Sequence, residues 1–218
     1  SSSFNDIADL KDVTARLPVI IKEWQDLLDK KDHERMIVLP EFIQKLATQS
    51  AKLAYFSPDE DKLMYTATAE ITIPEKLITP LPSNSTQTET RNLKPGKIYI
   101  YDIEEDKNFL IADAPQPPTK PAPAKPAPVD QLKQIANRYS AIFTQPIQWY
   151  PDSRHVIIVE ADKIIISEYD GTNRQTVYAG PFAQNFAFPW PNGSRLVILA
   201  SLNGGTNLSP NLYSINLK

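Results

Sequence analysis

The sequence predicts a mainly β chain built from repeated four-stranded antiparallel units, preceded by a short helical segment. Three observations predict it. Hydrophobic periodicity changes from about 3.6 residues to 2 near Ser50. Short runs rich in Ile, Val, Tyr and Phe recur from there to the C-terminus. One turn motif returns three times with similar residues around it.

The helical pattern is confined to Leu10–Ser50. Pro18 suits a first helical turn, where its missing N–H costs nothing. After it, Ile20, Ile21, Trp24, Leu27 and Leu28 line one face and Lys22, Glu23, Gln25 and Asp26 the other. A second helix is expected after Pro40, with Phe42, Ile43, Leu46 and Ala47 on its apolar side. Between them Asp29–Arg35, which contains His33, reads as a charged, solvated inter-helix segment. Both helices are expected to pack on the domain that follows.

Candidate strands then follow one another: Lys52–Ser57, Lys62–Thr68, Lys97–Ile103, Asn108–Ala112, Pro146–Tyr150, His155–Glu160, Lys163–Tyr169, Arg174–Tyr178, Gln184–Phe188, Arg195–Ser201 and Asn211–Leu217. Two stretches interrupt them. Ile73–Gly96 is polar and rich in Pro and Ser, and reads as a long loop inside a hairpin. Pro115–Pro128 is Pro/Ala-rich, the composition of an extended, solvated spacer rather than a proline-recognition ligand. A short helix is expected over Val129–Tyr139.

The repeat is the strongest signal. Tyr55–Tyr65, Gln148–Ile158 and Pro189–Ile198 share an aromatic-containing strand end, then Pro58-Asp59, Pro151-Asp152 or Pro191-Asn192, then a basic residue and an apolar run. Proline presets φ at the first central turn position and Asp or Asn bonds its own local backbone. A second apolar strand ending in a polar turn follows each motif, clearest at Asp170-Gly171-Thr172-Asn173. Each unit thus reads as a four-stranded meander, and the 40-residue spacing from Pro151 to Pro191 suits a propeller blade.

The Ser57-Pro58-Asp59 type of turn, with the Tyr169–Asn173 hairpin following its equivalent at Pro151-Asp152, resembles the TolB-like, WD-related β-propeller repeat, clearly over Gln145–Lys218 and less closely over Lys52–Ala112. The chain also resembles the C-terminal propeller part of bacterial PEGA-domain envelope proteins. That resemblance implies an extracytoplasmic setting in the cell envelope of a bacterium. Asn192 in place of Asp and the two long insertions depart from the repeat pattern. The expected organisation is an N-terminal segment (1–50), a first blade (51–113) with its hairpin insertion (73–96), a linker (114–130), a second blade (131–180) and a last blade (181–218). Closure typically takes about four to eight blades, and the last unit lacks a fourth strand. Ser3–Val13 is therefore expected to supply an edge strand, unless further blades lie upstream or the chain associates. The opening Ser1-Ser2-Ser3 without Met suits a processed or excised product.

The inventory of reactive groups is short. The chain has no cysteine, which removes disulfides, thiolate metal sites and thiol nucleophiles. His33 and His155 are the two histidines; His155 occupies the position of Lys62 and Arg195 in the sister repeats, so it reads as a polar strand start. Asp59-Glu60-Asp61 and Glu104-Glu105-Asp106 could offer oxygens to Ca²⁺ but lack the spacing of a calcium loop, and read as solvated turns. Trp149, Tyr150, Phe182, Phe186, Phe188 and Trp190 could form a sugar-stacking surface but read as packing between sheets. With 23 basic and 26 acidic residues, a formal charge of -3 and no basic cluster, nucleic acid is not an expected partner. No apolar run is long enough to span a bilayer, so no direct membrane insertion is expected. The expected function is a non-enzymatic interaction scaffold for a protein or surface polymer, with no catalytic residue, cofactor or metal. The alternatives are a carbohydrate-binding module and the accessory propeller of a hydrolase whose active site lies elsewhere.

Overall fold

A computed structural model describes residues 16–79, 86–114, 146–183, 186–201 and 210–217, and the chain separates into two compact units, Ser1–Val38 and Leu39–Lys218. The expected edge strand Ser3–Val13, the Pro/Ala-rich spacer Pro115–Pro128 and the expected helix Val129–Tyr139 lie outside the described residues.

The first unit holds helix α1 (Leu17–Met36), with Pro18 in its first turn and the Ile37 N–H closing its end on the His33 carbonyl at 3.1 Å. The helix runs on through Asp29–Arg35, correcting the inter-helix reading of that segment. Charged residues there are good helix formers at i,i+3 and i,i+4 spacing, and Lys30–Glu34 and Arg35–Asp32 ion pairs at 3.8 and 3.6 Å lie on the helix surface. The apolar stripe leaves Trp24 63% and Leu27 56% exposed. It stops at Leu28, and the charged turns beyond it offer no continuous face to bury.

The second unit opens with helix α2 (Glu41–Gln49), which starts directly after Pro40 and buries Ile43 and Leu46. It contacts the strand that follows. That strand begins the series β1 (Ala51–Phe56), β2 (Lys62–Ala67), β3 (Ile71–Thr72), β4 (Asn92–Leu93), β5 (Lys97–Asp102) and β6 (Lys107–Asp113). The series continues through β7 (Ile147–Trp149), β8 (His155–Val159), β9 (Lys163–Glu168), β10 (Gln175–Ala179), β11 (Ala187–Pro189), β12 (Arg195–Ala200) and β13 (Asn211–Asn216). Every expected strand is present. β3 and β4 are additional, a short ladder inside the Ile73–Gly96 hairpin insertion and its flank that was too brief to leave a periodic signal.

Among the described residues the strands form three main antiparallel sheets, β1-β2-β5-β6, β7-β8-β9-β10 and β11-β12-β13, in chain order save that the separate β3-β4 pair intervenes between β2 and β5. None of these sheets closes on itself. The protein is thus mainly β with antiparallel meanders. Alternation along each strand sends successive side chains to opposite faces, and the second sheet uses both. Val156, Ile158 and Ile165 pack with Met64, Ile98, Ile100, Phe109 and Ile111 of the first sheet. Ile157, Val159 and Ile164 pack with Ala187, Leu196, Ile198 and Ala200 of the third. The sheets therefore stack face to face in chain order.

The far face of the first sheet is aromatic and polar. Tyr65 stacks on Tyr99 with centroids 5.8 Å apart, and its hydroxyl donates to Asn108 Oδ1 at 2.8 Å. Asn108 Nδ2 donates in turn to the Thr90 carbonyl at 2.7 Å. Asp106, buried, accepts from the Tyr101 hydroxyl at 2.8 Å and the Leu77 N–H at 2.7 Å, and Arg91 bonds both its carboxylate and its carbonyl. These bonds fasten the hairpin insertion over that face.

Candidate functional site

The three Pro-Asp turns adopt one geometry. At the first, Ser57 N–H donates to the Lys62 carbonyl and Glu60 N–H to the Ser57 carbonyl, both at 2.9 Å. At the second the same bonds run from Tyr150 to His155 and from Ser153 to Tyr150, and at the third from Trp190 to Arg195 and from Gly193 to Trp190. The fourth position is left-handed each time, with φ of 69° at Glu60, 60° at Ser153 and 67° at Gly193. This is the turn followed by a left-handed residue that closes a tight hairpin loop without splaying its strands.

The aligned Asp, Asp and Asn differ in what they bond. Asp152 Oδ1 accepts the N–H groups of Arg154 and His155 at 2.9 and 3.0 Å, and Asn192 Oδ1 accepts the Ser194 N–H at 3.0 Å. Both are local turn bonds of the kind expected. At the first turn Ser57 Oγ takes that role, accepting the Lys62 N–H at 3.1 Å, and lies 2.6 and 3.0 Å from Asp59 and Asp61. Asp170, at the β9–β10 turn, accepts from the Thr172 N–H at 2.9 Å and hydroxyl at 2.6 Å. Gly171 and Asn173 supply the positive φ values of 85° and 49° that this turn requires.

Neighbouring turns are tied together. Asp59 N–H donates to Ser153 Oγ at 3.0 Å, and the Tyr150 hydroxyl donates to the Gly193 carbonyl. Where the first and second sheets meet at this end, a cleft of about 500 Å³ opens. Asp59, Asp61, Asp102, Glu104, Glu105 and Glu168 line it together with Lys62, Arg154, His155 and Tyr169. The structure thus brings Asp59 and Asp61 of one acidic turn and Glu104 and Glu105 of the other to one cleft; Glu60 does not line it, and Asp106 bonds the insertion instead. Among the described residues no group of three or more acidic or histidine side chains is placed to hold a metal ion.

Electrostatics inside the cleft are set by contact. Lys62 is buried, paired to Asp61 at 2.7 Å, with its ammonium 4.8 Å from the centroid of the Tyr169 ring, a cation–π placement. Burial and the nearby Asp102 carboxylate push the Tyr169 hydroxyl well above its ordinary range. Burial also raises the Asp59 carboxyl, but hydrogen bonds with Asp61, Ser57 and Ser153 and the Lys62 charge outweigh it and hold the group below the usual carboxylate range. The Asp61 carboxyl moves the other way, raised by burial and by its contact with Asp59 against the pull of Lys62. Two carboxylates beside one hydroxyl divide their protons unequally.

His155 starts β8 as expected, its Nδ1 2.6 Å from Asp152 Oδ2. His33 lies on the exposed surface of α1. Of the aromatics, Trp149 packs between the first and second sheets, and Tyr150 and Phe182 between the second and third. Phe186 and Phe188 meet edge to face, 5.0 Å between centroids. Trp190 does not join a core: it is 51% exposed, which corrects its expected packing. It occupies the turn position of Tyr150, which points at the next turn, and among the described residues no fourth turn stands beside it. Ser57, Ser153, Asp102 and Tyr169 were not legible in the sequence as partners across the cleft. For the serines, hydroxyls immediately before and two residues after a turn proline were the available hint. A scan against protein-family models finds no match to this chain, and a search of curated proteins finds none either.

Proposed function

We propose that this chain is a non-enzymatic interaction scaffold of propeller-type blades that recognises a protein or surface polymer at the end where the Pro-Asp turns lie. The observation that carries the reading is the set of three turns, which keep the same backbone bonds while their side chains differ and which stand bonded to one another. Such a frame holds its backbone fixed and leaves the groups between turns to specify a partner. Carboxylates outnumber cations in the first cleft, so the partner segment it suits presents amines or guanidinium groups. The bacterial envelope setting rests on the resemblance to TolB-like and PEGA-domain proteins.

Calorimetric titration of the whole chain with a decalysine peptide tests this reading. The expected result is binding that weakens as salt rises and is lost in the double variant Glu104→Lys, Glu168→Lys. No heat at low salt, or equal binding by the double variant, would remove the cleft from the interaction surface.

A further inference from the structure

The sheet edges of this protein are not alike. β1 is interrupted by a bulge between Lys52 and Tyr55, where Leu53 has a φ of 55°. β10 is bulged between Thr176 and Tyr178. The β5–β6 ladder is bulged too, and β6 begins at Lys107 and ends at Asp113. β7 and β11 span three residues each, and β11 ends in Pro189. Bulges, charges, prolines and brevity are the devices that stop an edge from templating another strand. β13 has none of them. It pairs with β12 without a shift from Asn211↔Ala200 to Asn216↔Arg195, and its Asn-Leu-Tyr-Ser-Ile-Asn sequence carries neither charge nor proline.

The sister sheets show what occupies this edge elsewhere. In the first, β6 lies antiparallel on β5, and in the second, β10 lies antiparallel on β9. Among the described residues no strand lies on the free side of β13. The Leu217 N–H donates to the Ser194 carbonyl at 2.9 Å, which sets the phase of the ladder. Alternation then turns the backbone groups of Tyr213 and Ile215 toward β12 and those of Leu212, Ser214 and Asn216 outward.

We infer that β13 is an interaction edge that pairs antiparallel with β13 of a second copy of this chain, Ser214 opposite Ser214 and Leu212 opposite Asn216. A two-fold axis perpendicular to the sheet generates that antiparallel direction and keeps matching faces on the same side. An uncharged strand sets no like charges against each other, and the register places Tyr213 opposite Ile215, an aromatic–β-branched pair of the stabilising kind. Both of those residues already pack against the core between the second and third sheets, so the paired strand extends an existing apolar face. Leu212, 64% exposed on the other face, lies opposite Asn216 of the second copy in this register.

Sedimentation equilibrium of the whole chain over a micromolar concentration series tests this. The wild type is expected to show a concentration-dependent dimer. Ser214→Pro removes an outward N–H without touching the β12 ladder, and Ser214→Lys opposes two ammonium groups at the axis. Each is expected to raise the dissociation constant by about tenfold or more while the far-UV spectrum stays native. Where Ser214→Pro does not fold, Ser214→Lys decides. A chain that stays monomeric across the series, or a dimer whose dissociation constant is unchanged in Ser214→Lys, overturns the inference.

Discussion

A single carboxylate, Asp152, closes the second turn, and its pKa moves in the opposite direction from that of Asp61 in the first. Asp152 takes two backbone N–H bonds and faces His155. Burial raises its pKa, but the bond to His155 and the two backbone bonds outweigh burial and leave it lowered. A lowered folded-state pKa contributes stability that is present above the unfolded value, about 3.9, and lost as pH falls through the folded value. Asp152→Ala is therefore expected to cost about 1 kcal/mol at pH 7, with the gap closing in acid; Asp152→Asn should keep most of it, since Asn192 performs the local bond in the third turn. Asp61 carries the reverse sign. Its raised folded-state pKa gives a contribution that is full below the unfolded value and lost as pH rises through the folded one. Asp61→Asn resembles the protonated form, so its stability relative to wild type should rise from pH 4 to pH 7. Urea unfolding of the variants at pH 3, 4 and 7 checks both signs.

At the scale of the element, the hairpin turn is where the sequence speaks most clearly, because its chemistry is local. Pro58, Pro151 and Pro191 fix φ, Asp or Asn stands next, and the strands on either side follow from alternation. The left-handed fourth position is less legible, since it is filled by Glu60, Ser153 and Gly193, and only glycine announces that conformation. Glu60→Gly should relieve a cost of about 1 kcal/mol, whereas Gly193→Ala should lose about that much or more. At Gly193 an added Cβ would lie 3.1 Å from Tyr150 Cε1 with φ at 67°. Thermal unfolding of the two single variants separates these outcomes. The cleft was not legible for a different reason: it joins Asp59 to Glu168 and Tyr169, and periodicity tells which face of a strand is apolar but not which sheet that face meets. The extent of α1 was hidden by the same Asp29–Arg35 charges that stabilise it, because charge density alone does not distinguish a solvated helix face from a linker.

Over the whole sheet unit, stability depends on the second sheet serving two cores at once. Ile157 and Ile158 are adjacent in β8 and point in opposite directions, Ile157 into the core shared with the third sheet and Ile158 into the core shared with the first. Truncating either to Ala removes buried methyl groups and leaves a cavity, at a cost of about 2–5 kcal/mol. How far that loss travels depends on whether the stack unfolds as one body or sheet by sheet. The turn-to-turn bonds from Asp59 to Ser153 and from Tyr150 to Gly193, together with the Trp149 Nε1 bond to the Tyr55 carbonyl at 3.4 Å, favour one body. Ile157→Ala is then expected to speed amide exchange at Met64 in the first sheet as well as at Ile198 in the third, although Ile157 belongs to the core on the third sheet's side. Exchange measured by NMR at those two amides decides it: acceleration at Ile198 with Met64 unchanged would mean that the sheets open independently and that face-to-face stacking, not cooperation through the second sheet, is all that joins them.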